Sequence, residues 1–342
     1  MAAALTAEPF DLGGAPLFRV RMFRLGDEEH VFYFMTHHLI WDGWSFDLLY
    51  QEMGGNYDAL RAGRPAPFPE LAVDYGDFSA WHQQWLQGEE LASQLEHWKA
   101  KLAGPLTPLD LPLDRPRPAV ASGNSSNDWI AIDKPLADAL GEVAREAGAT
   151  LFMTLLAAYV SLLHRLSGQQ DIVVGVPVRN RDSAELEAVM GFFVNMLPLR
   201  VRVDPAQPFI DLVHQVRGVV MDAFACPDVP FEHLVRELGV PRDPSRQPIY
   251  QATFSFQDVR LRNRDWGDLR HKNVPIYQRA SGDDLAIGFL MHDQGLSGGM
   301  LFNADVFEPA TVARIRDAFT ALLQSVRSDP RSPVGKLRIA AS

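Results

Sequence analysis

Cysteine is almost missing from this chain: Cys226 is the only one in 342 residues. A single thiol excludes an internal disulfide and any cysteine-based metal cluster, and it fits a reducing compartment. Positive charge is also scarce, with a formal net charge of -11, which argues against nucleic acid as a default partner. Long apolar runs are absent. The longest stretch, residues 151–163, is too short to span a bilayer and contains polar residues, so it reads as a core helix and no membrane association is expected. Met1-Ala2-Ala3-Ala4-Leu5 lacks the basic region and long apolar core of a signal peptide. A cytoplasmic location is the resulting expectation. No repeat or low-complexity segment occurs, and no glycine-rich phosphate loop follows the strand expected at 171–176, so a nucleotide-binding fold is not supported.

What the chain does have is the makeup of an ordinary globular protein, 47% hydrophobic and 22% charged. Its length exceeds the usual single core, so two lobes are expected. Residues 16–25 and 30–38 read as a hairpin around Gly26-Asp27-Glu28, with residues 31–35 a buried strand, followed by a helix over 45–62. A single helix is expected over 81–102, with Leu91, Leu95, Trp98 and Leu102 on one face. Residues 105–127 are rich in proline and then in Ser, Asn and Gly, and read as an extended connection between lobes. Beyond them strands are expected near 129–132, 171–176, 192–203, 251–256, 285–291 and 299–302, and helices near 136–147, 150–166, 209–224, 231–238 and 311–326. The resulting division is 1–104 for the first lobe, 105–127 for the connection, 128–327 for the second lobe and 328–342 for a linker tail.

The densest chemistry lies at Thr36-His37-His38-Leu39-Ile40-Trp41-Asp42-Gly43-Trp44, where an apolar strand gives way to a helix through an Asp-Gly turn. Such a corner exposes side chains while both flanking elements hold the backbone still, which suits proton transfer by an imidazole with an unperturbed pKa near ~6.5. Three other readings compete. A histidine beside a strand is most often a hydrogen-bonded core or surface residue. A zinc site would need a third protein ligand at suitable spacing, and none is nearby. Ser45 as nucleophile lacks the second glycine of a nucleophile elbow in Gly43-Trp44-Ser45-Phe46-Asp47.

His37-His38-Leu39-Ile40-Trp41-Asp42-Gly43 resembles the HHxxxDG signature of the condensation domains of nonribosomal peptide synthetases, members of the chloramphenicol acetyltransferase-like superfamily. The resemblance continues in the family's order. Tyr75-Gly76-Asp77-Phe78-Ser79-Ala80-Trp81 is similar to YxDYAxW, Gly191-Phe192-Phe193-Val194-Asn195-Met196 to GxFVNT, Pro227-Asp228-Val229-Pro230-Phe231-Glu232 to QDxPFE, and Arg242-Asp243-Pro244-Ser245-Arg246-Gln247-Pro248-Ile249 to RDxSRNPL. Met196 stands where Thr is usual, Gln247 for Asn, and Cys226 where Gln is common. Family members carry two further motifs before the His-His pair, so the resemblance implies an N-terminally truncated domain.

The resemblance implies a mixed α/β fold of two chloramphenicol acetyltransferase-like lobes in a V, the first incomplete. It implies an acyltransferase forming an amide between a carrier-bound acyl or peptidyl thioester and a carrier-bound aminoacyl amine. Its partners would be donor and acceptor peptidyl carrier proteins and a neighbouring adenylation domain. No intrinsic cofactor or metal is implied, since phosphopantetheine arrives on the carriers. An ester-forming or epimerising relative, or an inactive carrier-docking fragment, are the alternatives. His38 is the candidate catalytic residue, as base or as positioning group. Asp42 either orients His38 or serves as a buried ion-pair anchor, the reading preferred here, with Arg181 as the partner the resemblance implies and Arg179 as the fallback. His37 shapes the corner, Gly43 permits close backbone approach, and Trp44 and Asn195 are candidates to line the substrate tunnel. The basic cluster Arg260, Arg262, Arg264, Arg270, His271 and Lys272, interrupted by Asp265 and Asp268, reads as a solvated loop, or more sharply as a docking contact for an acidic carrier.

Overall fold

The polar stretch at 26–29 reverses the chain, and the flanking segments pair as an antiparallel ribbon of β1 (Phe18–Arg24) and β2 (His30–Thr36), with Val20 opposite Phe34 and Met22 opposite Phe32. A computed structural model describes residues 5–6, 8–181, 183–263, 265–274 and 282–339, residue 263 by its backbone alone. Residues 1–4, read above for a signal peptide, residues 340–342 of the expected tail, and Arg264 lie outside them. The expectation of a buried strand at 31–35 is corrected: Tyr33 is buried, but Val31 and Phe32 are exposed. Among the described residues the ribbon has two strands, so it has no central strand to bury on both sides.

Two compact units make up the chain. The first comprises Met1–Gln84, Arg179–Val194 and Leu261–Gln278; the second comprises Trp85–Val178, Asn195–Arg260 and Arg279–Ser342. These bounds differ from the division expected at 104 and 128. The first unit holds β1, β2 and the helix α1 (Gly43–Arg61). The helix α2 (Tyr75–Trp85) ends at the boundary, and the single helix expected over 81–102 is two, divided at residues 86–88, with Gly88 as the extended N-cap of α3 (Glu89–Lys101). Leu91, Leu95, Trp98 and Leu102 of the α3 stripe are buried in the core of the second unit, which is why α3 belongs there.

That second unit is built on a six-stranded sheet ordered β3-β8-β7-β6-β4-β5, from β3 (Ser125–Asp133), β4 (Asp171–Val178), β5 (Asn195–Arg202), β6 (Ala252–Asp258), β7 (Leu285–His292) and β8 (Gly295–Asn303). β4, β6 and β7 run parallel and the remaining pairings are antiparallel. Helices α4 (Lys134–Glu146), α5 (Leu151–Ser167), α6 (Phe209–Phe224), α7 (Phe231–Glu237) and α8 (Pro309–Ser328) complete it. α5 is the central helix: Thr150 caps its first turn, Gly168 ends it in the left-handed conformation, and Leu155 to Leu163 are fully buried against α4, α6 and α8. Each such large side chain contributes roughly 1.5–3 kcal/mol on burial, so this unit carries the stable core.

Residues 105–127 are extended, as expected up to the start of β3, but they do not lie between the units: they strap across the second one. Leu109 and Leu111 enter its core, and Arg117 makes a buried ion pair with Asp284, its Nη1 donating over 2.8 Å. The tail after α8 is likewise packed. Val334 and Leu337 are buried, and Arg165 donates to the carbonyls of Gly335 and Leu337 at 2.8 Å. Apolar residues spaced along an irregular stretch thus found burial that composition alone did not reveal.

Candidate active site

The His-His corner belongs wholly to the first unit. After Thr36 the backbone makes a single 3-10 turn over His38–Ile40. His37 caps this turn, its Nδ1 accepting from Leu39 N at 3.1 Å, and its ring meets Phe10 edge-on with centroids 5.9 Å apart. Its Nδ1 lone pair is thereby used, which puts the proton of the neutral ring on Nε2. His38 has the opposite arrangement. Its Nδ1 lies 2.6 Å from the carbonyl oxygen of Trp41, and a carbonyl can only accept, so Nδ1 carries the proton and Nε2 of the neutral ring keeps a free lone pair. The ring is exposed, with Phe192 edge-on at 5.2 Å.

Asp42 makes no hydrogen bond to His38 among the described residues. Its side chain caps α1, Oδ1 accepting from Ser45 N and Ser45 Oγ at 2.8 Å each, and Oδ2 accepting from Phe193 N at 3.2 Å. The structure places Arg181 against it, Nη1 donating to Oδ2 at 2.6 Å and Nη2 to Oδ1 at 3.2 Å, with both side chains 0% exposed. Arg181 Nη2 also donates to Val189 O at 3.1 Å, and its guanidinium lies 4.0 Å from the centre of the Phe193 ring. Asn180, in the left-handed conformation at φ 48, makes the turn before Arg181; asparagine tolerates that region better than other non-glycine residues. Arg179, the fallback partner, goes elsewhere: it stacks over Trp44 at 4.2 Å and pairs with Glu187 at 3.6 Å.

The motif Tyr75-Gly76-Asp77 supports the same corner. Tyr75 donates its hydroxyl proton to Phe192 O at 2.7 Å and packs edge-on to Phe193. Burial, and then the charge of Asp42, push its phenol up from the usual value. A Cβ on Gly191 would stand 2.3 Å from the Tyr75 ring, so the tyrosine and the Asp42 cluster fit only around glycine. The strand expected from 192 begins at Asn195, because the backbone at 191–193 serves this cluster rather than a sheet.

Other candidates resolve differently. Trp44 donates Nε1–H to Glu187 O at 2.7 Å, which fixes its ring against the 179–194 segment. Asn195 lies in the second unit, is 8% exposed, and has its amide fully engaged: Nδ2 donates to Pro227 O and Val229 O at 2.7 Å, and Oδ1 accepts from Met196 N and Phe231 N. Such a clasp leaves no capacity for a ligand, so the expectation of a tunnel-lining role is corrected. Two described members of the basic cluster are already paired. Arg262 is buried, donating to Asp47 at 2.6 Å and 3.1 Å and to Gly43 O at 2.7 Å, whereas Arg260 is paired with Asp258 at 2.6 Å. The Asp243-Pro244-Ser245 motif makes a local cap, in which Ser245 N and Oγ donate to Asp243 and hold its carboxyl below the usual range.

Four contributors escaped the sequence reading: the Trp41 carbonyl, the Ser45 hydroxyl as a buried network member, the Phe193 amide and Arg262. Backbone groups carry no residue signature. Ser45 stood out only as a nucleophile, yet it is 0% exposed; it accepts from Gly191 N at 2.9 Å and lies 3.0 Å from Gly191 O.

The chain matches the family model for the condensation domain over residues 1–342. It is 39% identical over 328 residues to a linear gramicidin synthase chain of Brevibacillus parabrevis, covering 95% of this chain and 4% of that protein. It is 36% identical to the phosphinothricin tripeptide synthetase PhsC of Streptomyces viridochromogenes, covering 94% of this chain and 30% of that one. The chain thus spans less than a third of these relatives. Among solved structures, the X-domain from teicoplanin biosynthesis is similar with a TM-score of 0.86 and 28% identity, covering 98% of this chain and 77% of that one. The first condensation domain of the calcium-dependent antibiotic synthetase shares the fold at a TM-score of 0.84, covering 99% of this chain and 76% of that one, with 24% identity. Motifs, corner geometry and matches agree: the chain belongs to the condensation domain family of nonribosomal peptide synthetases.

Proposed function

We propose that this domain forms an amide, with the amine of a carrier-borne aminoacyl group attacking a carrier-borne acyl or peptidyl thioester. The observation that carries the reading is the hydrogen bond from His38 Nδ1 to the Trp41 carbonyl, which leaves Nε2 as an acceptor at an exposed corner. A free α-amine titrates near ~7.7–8.0, so a useful minority of the nucleophile is already neutral at cellular pH and positioning is a large part of the work. Attack joins nitrogen to the thioester carbon and gives an adduct with positive nitrogen and negative oxygen. His38 Nε2 accepts a proton from that nitrogen, and collapse then expels the thiolate and leaves the amide. The expelled thiolate takes the proton held on His38 Nε2, which restores the neutral imidazole, so atoms and charge balance. Proton transfer of this kind is typically worth about 10²–10⁴-fold. Asp42 and Arg181 hold the corner and do not touch the reacting atoms in this scheme. The phosphopantetheine arms of the carriers bring both substrates.

The test is single-turnover condensation with separately loaded donor and acceptor carriers. His38→Ala is expected to slow amide formation by about 10²–10⁴-fold while the domain remains folded; an undiminished rate removes His38 from the chemistry. A docking role without chemistry is the second reading, favoured by the likeness to the X-domain, whose solved structures include a complex with OxyB. Carrier binding with no product from the unaltered chain would select it. Offering an alcohol acceptor beside the amine separates ester from amide formation.

A further inference from the structure

Arg262, Trp266, Gly267, Asp268 and His271 lie along one face of α1. Gly43, Asp47, Tyr50, Gly54, Asp58 and Arg61 recur at helical spacing, and each meets one of those residues. Arg262 reaches Gly43 and Asp47, while Tyr50 stacks with His271 at 5.8 Å. A Cβ on Gly54 would stand 2.7 Å from Trp266, and one on Gly267 would stand 2.7 Å from Asp58. Arg61 pairs with Asp268 at the far end. The two ends differ in kind: Arg61 and Asp268 are exposed, whereas the Arg262 and Asp47 side chains are 8% and 20% exposed.

Arg262 sits at the end next to the His38 corner. Its Nη2 donates to Gly43 O at 2.7 Å and to Asp47 Oδ2 at 3.1 Å, and its Nε donates to Asp47 Oδ1 at 2.6 Å. A cation beside a helix N-terminus opposes the helix dipole, so helix stability alone does not account for it. What the fork does is join the first carbonyl of α1 to a carboxylate one turn further on, fixing that turn from the side opposite in role to Arg181, which holds Asp42. Between Gly43 and His38 lies Trp41, whose carbonyl sets the His38 tautomer.

We infer that Arg262 is a positioning residue for the reaction: by pinning the start of α1 it fixes the Trp41 carbonyl and thereby the orientation and tautomer of His38. This rests on the reading of His38 given above, so the test has a readout independent of turnover. The full chain is labelled with ¹⁵N-histidine, the His38 ring signals are assigned by their loss in His38→Gln, and the tautomer is read by NMR beside steady-state condensation. Arg262→Met is expected to erase the preference for protonated Nδ1 and to lower kcat about 10- to 100-fold with little change in KM for the acceptor carrier. Arg262→Lys keeps the charge but not the fork and is expected to fall between, which also decides the matter if Arg262→Met does not fold. Arg61→Met, at the other end of the same helix face, should leave both readouts unchanged. An unaltered His38 tautomer in Arg262→Lys and Arg262→Met overturns the inference. A changed tautomer with an unchanged rate upholds the positioning and counts instead against His38 as the proton acceptor.

Discussion

Removing Arg181 should damage the first unit far more than its single charge suggests. In Arg181→Met the Asp42 carboxylate keeps its contacts from Ser45 N, Ser45 Oγ and Phe193 N, but loses the donors at 2.6 Å and 3.2 Å, and Val189 O loses the donor at 3.1 Å. Both side chains are 0% exposed, so water cannot replace the lost partner. Breaking such a pair from one side costs about 3–5 kcal/mol, against about 0–1 kcal/mol for an exposed pair. Asp42→Asn should cost a similar amount, because its new NH₂ faces the donors of Arg181 or Phe193 in either flip. The double variant should lose clearly less than the sum, since no unpaired charge is left buried. Hydrogen exchange is the suitable assay, as a chain of two units need not unfold in one step. The amides of Ser45, Gly191 and Phe193, each a donor to this cluster, should exchange on the order of 10²–10³-fold faster in each single variant, which is what 3–5 kcal/mol predicts at the lower end. Protection within about fivefold of the parent in Arg181→Met, the range of a surface pair, would refute the reasoning.

Two further outcomes are expected from the second unit. Asn195→Ala should destabilise it by about 1–3 kcal/mol for each group left unsatisfied among Phe231 N, Pro227 O and Val229 O, read as a lower urea midpoint; a change in acceptor selectivity with unaltered stability would restore a tunnel role. Asp171 is hydrogen-bonded by Arg200, which holds its carboxyl below the usual range. A carboxyl depressed in the folded state contributes stability that is present above the unfolded value near ~3.9 and lost as pH falls through the folded one. Arg200→Met should therefore destabilise at pH 7 and progressively less below about pH 4, as followed by urea midpoints across that range; a pH-independent difference would assign the effect of Arg200 to its bonds with Ala103 O and Pro105 O instead.

The hairpin, the helix after Asp42 and the strand and helix order of the second unit follow from periodicity, turn residues and caps, which act over a few neighbouring positions. Thr150 capping α5 and the left-handed Gly168 closing it are local chemistry of this sort. The strand start at Asn195 rather than 192 is not, because it depends on what the backbone at 191–193 meets from elsewhere. Exposure of Val31 and Phe32 shows the same limit: an apolar run states a preference for burial, and only the assembled chain shows whether a partner covers it.

By itself the sequence determined the family, through ordered motifs whose residue types are demanded by chemistry, and it placed two imidazoles and a carboxylate at one corner. Tertiary structure decided their division of labour. Asp42 could have faced His38, since the two are four positions apart, but Arg181 from 139 residues away and Phe193 from 151 residues away take its lone pairs. His38 instead takes its orientation from a carbonyl, a group every residue has and no alphabet records. Arg262 read as one charge in a basic loop until the fold buried it against Gly43 and Asp47. A charge is assigned by sequence; the desolvation and partner that decide what it does arise only when distant segments meet.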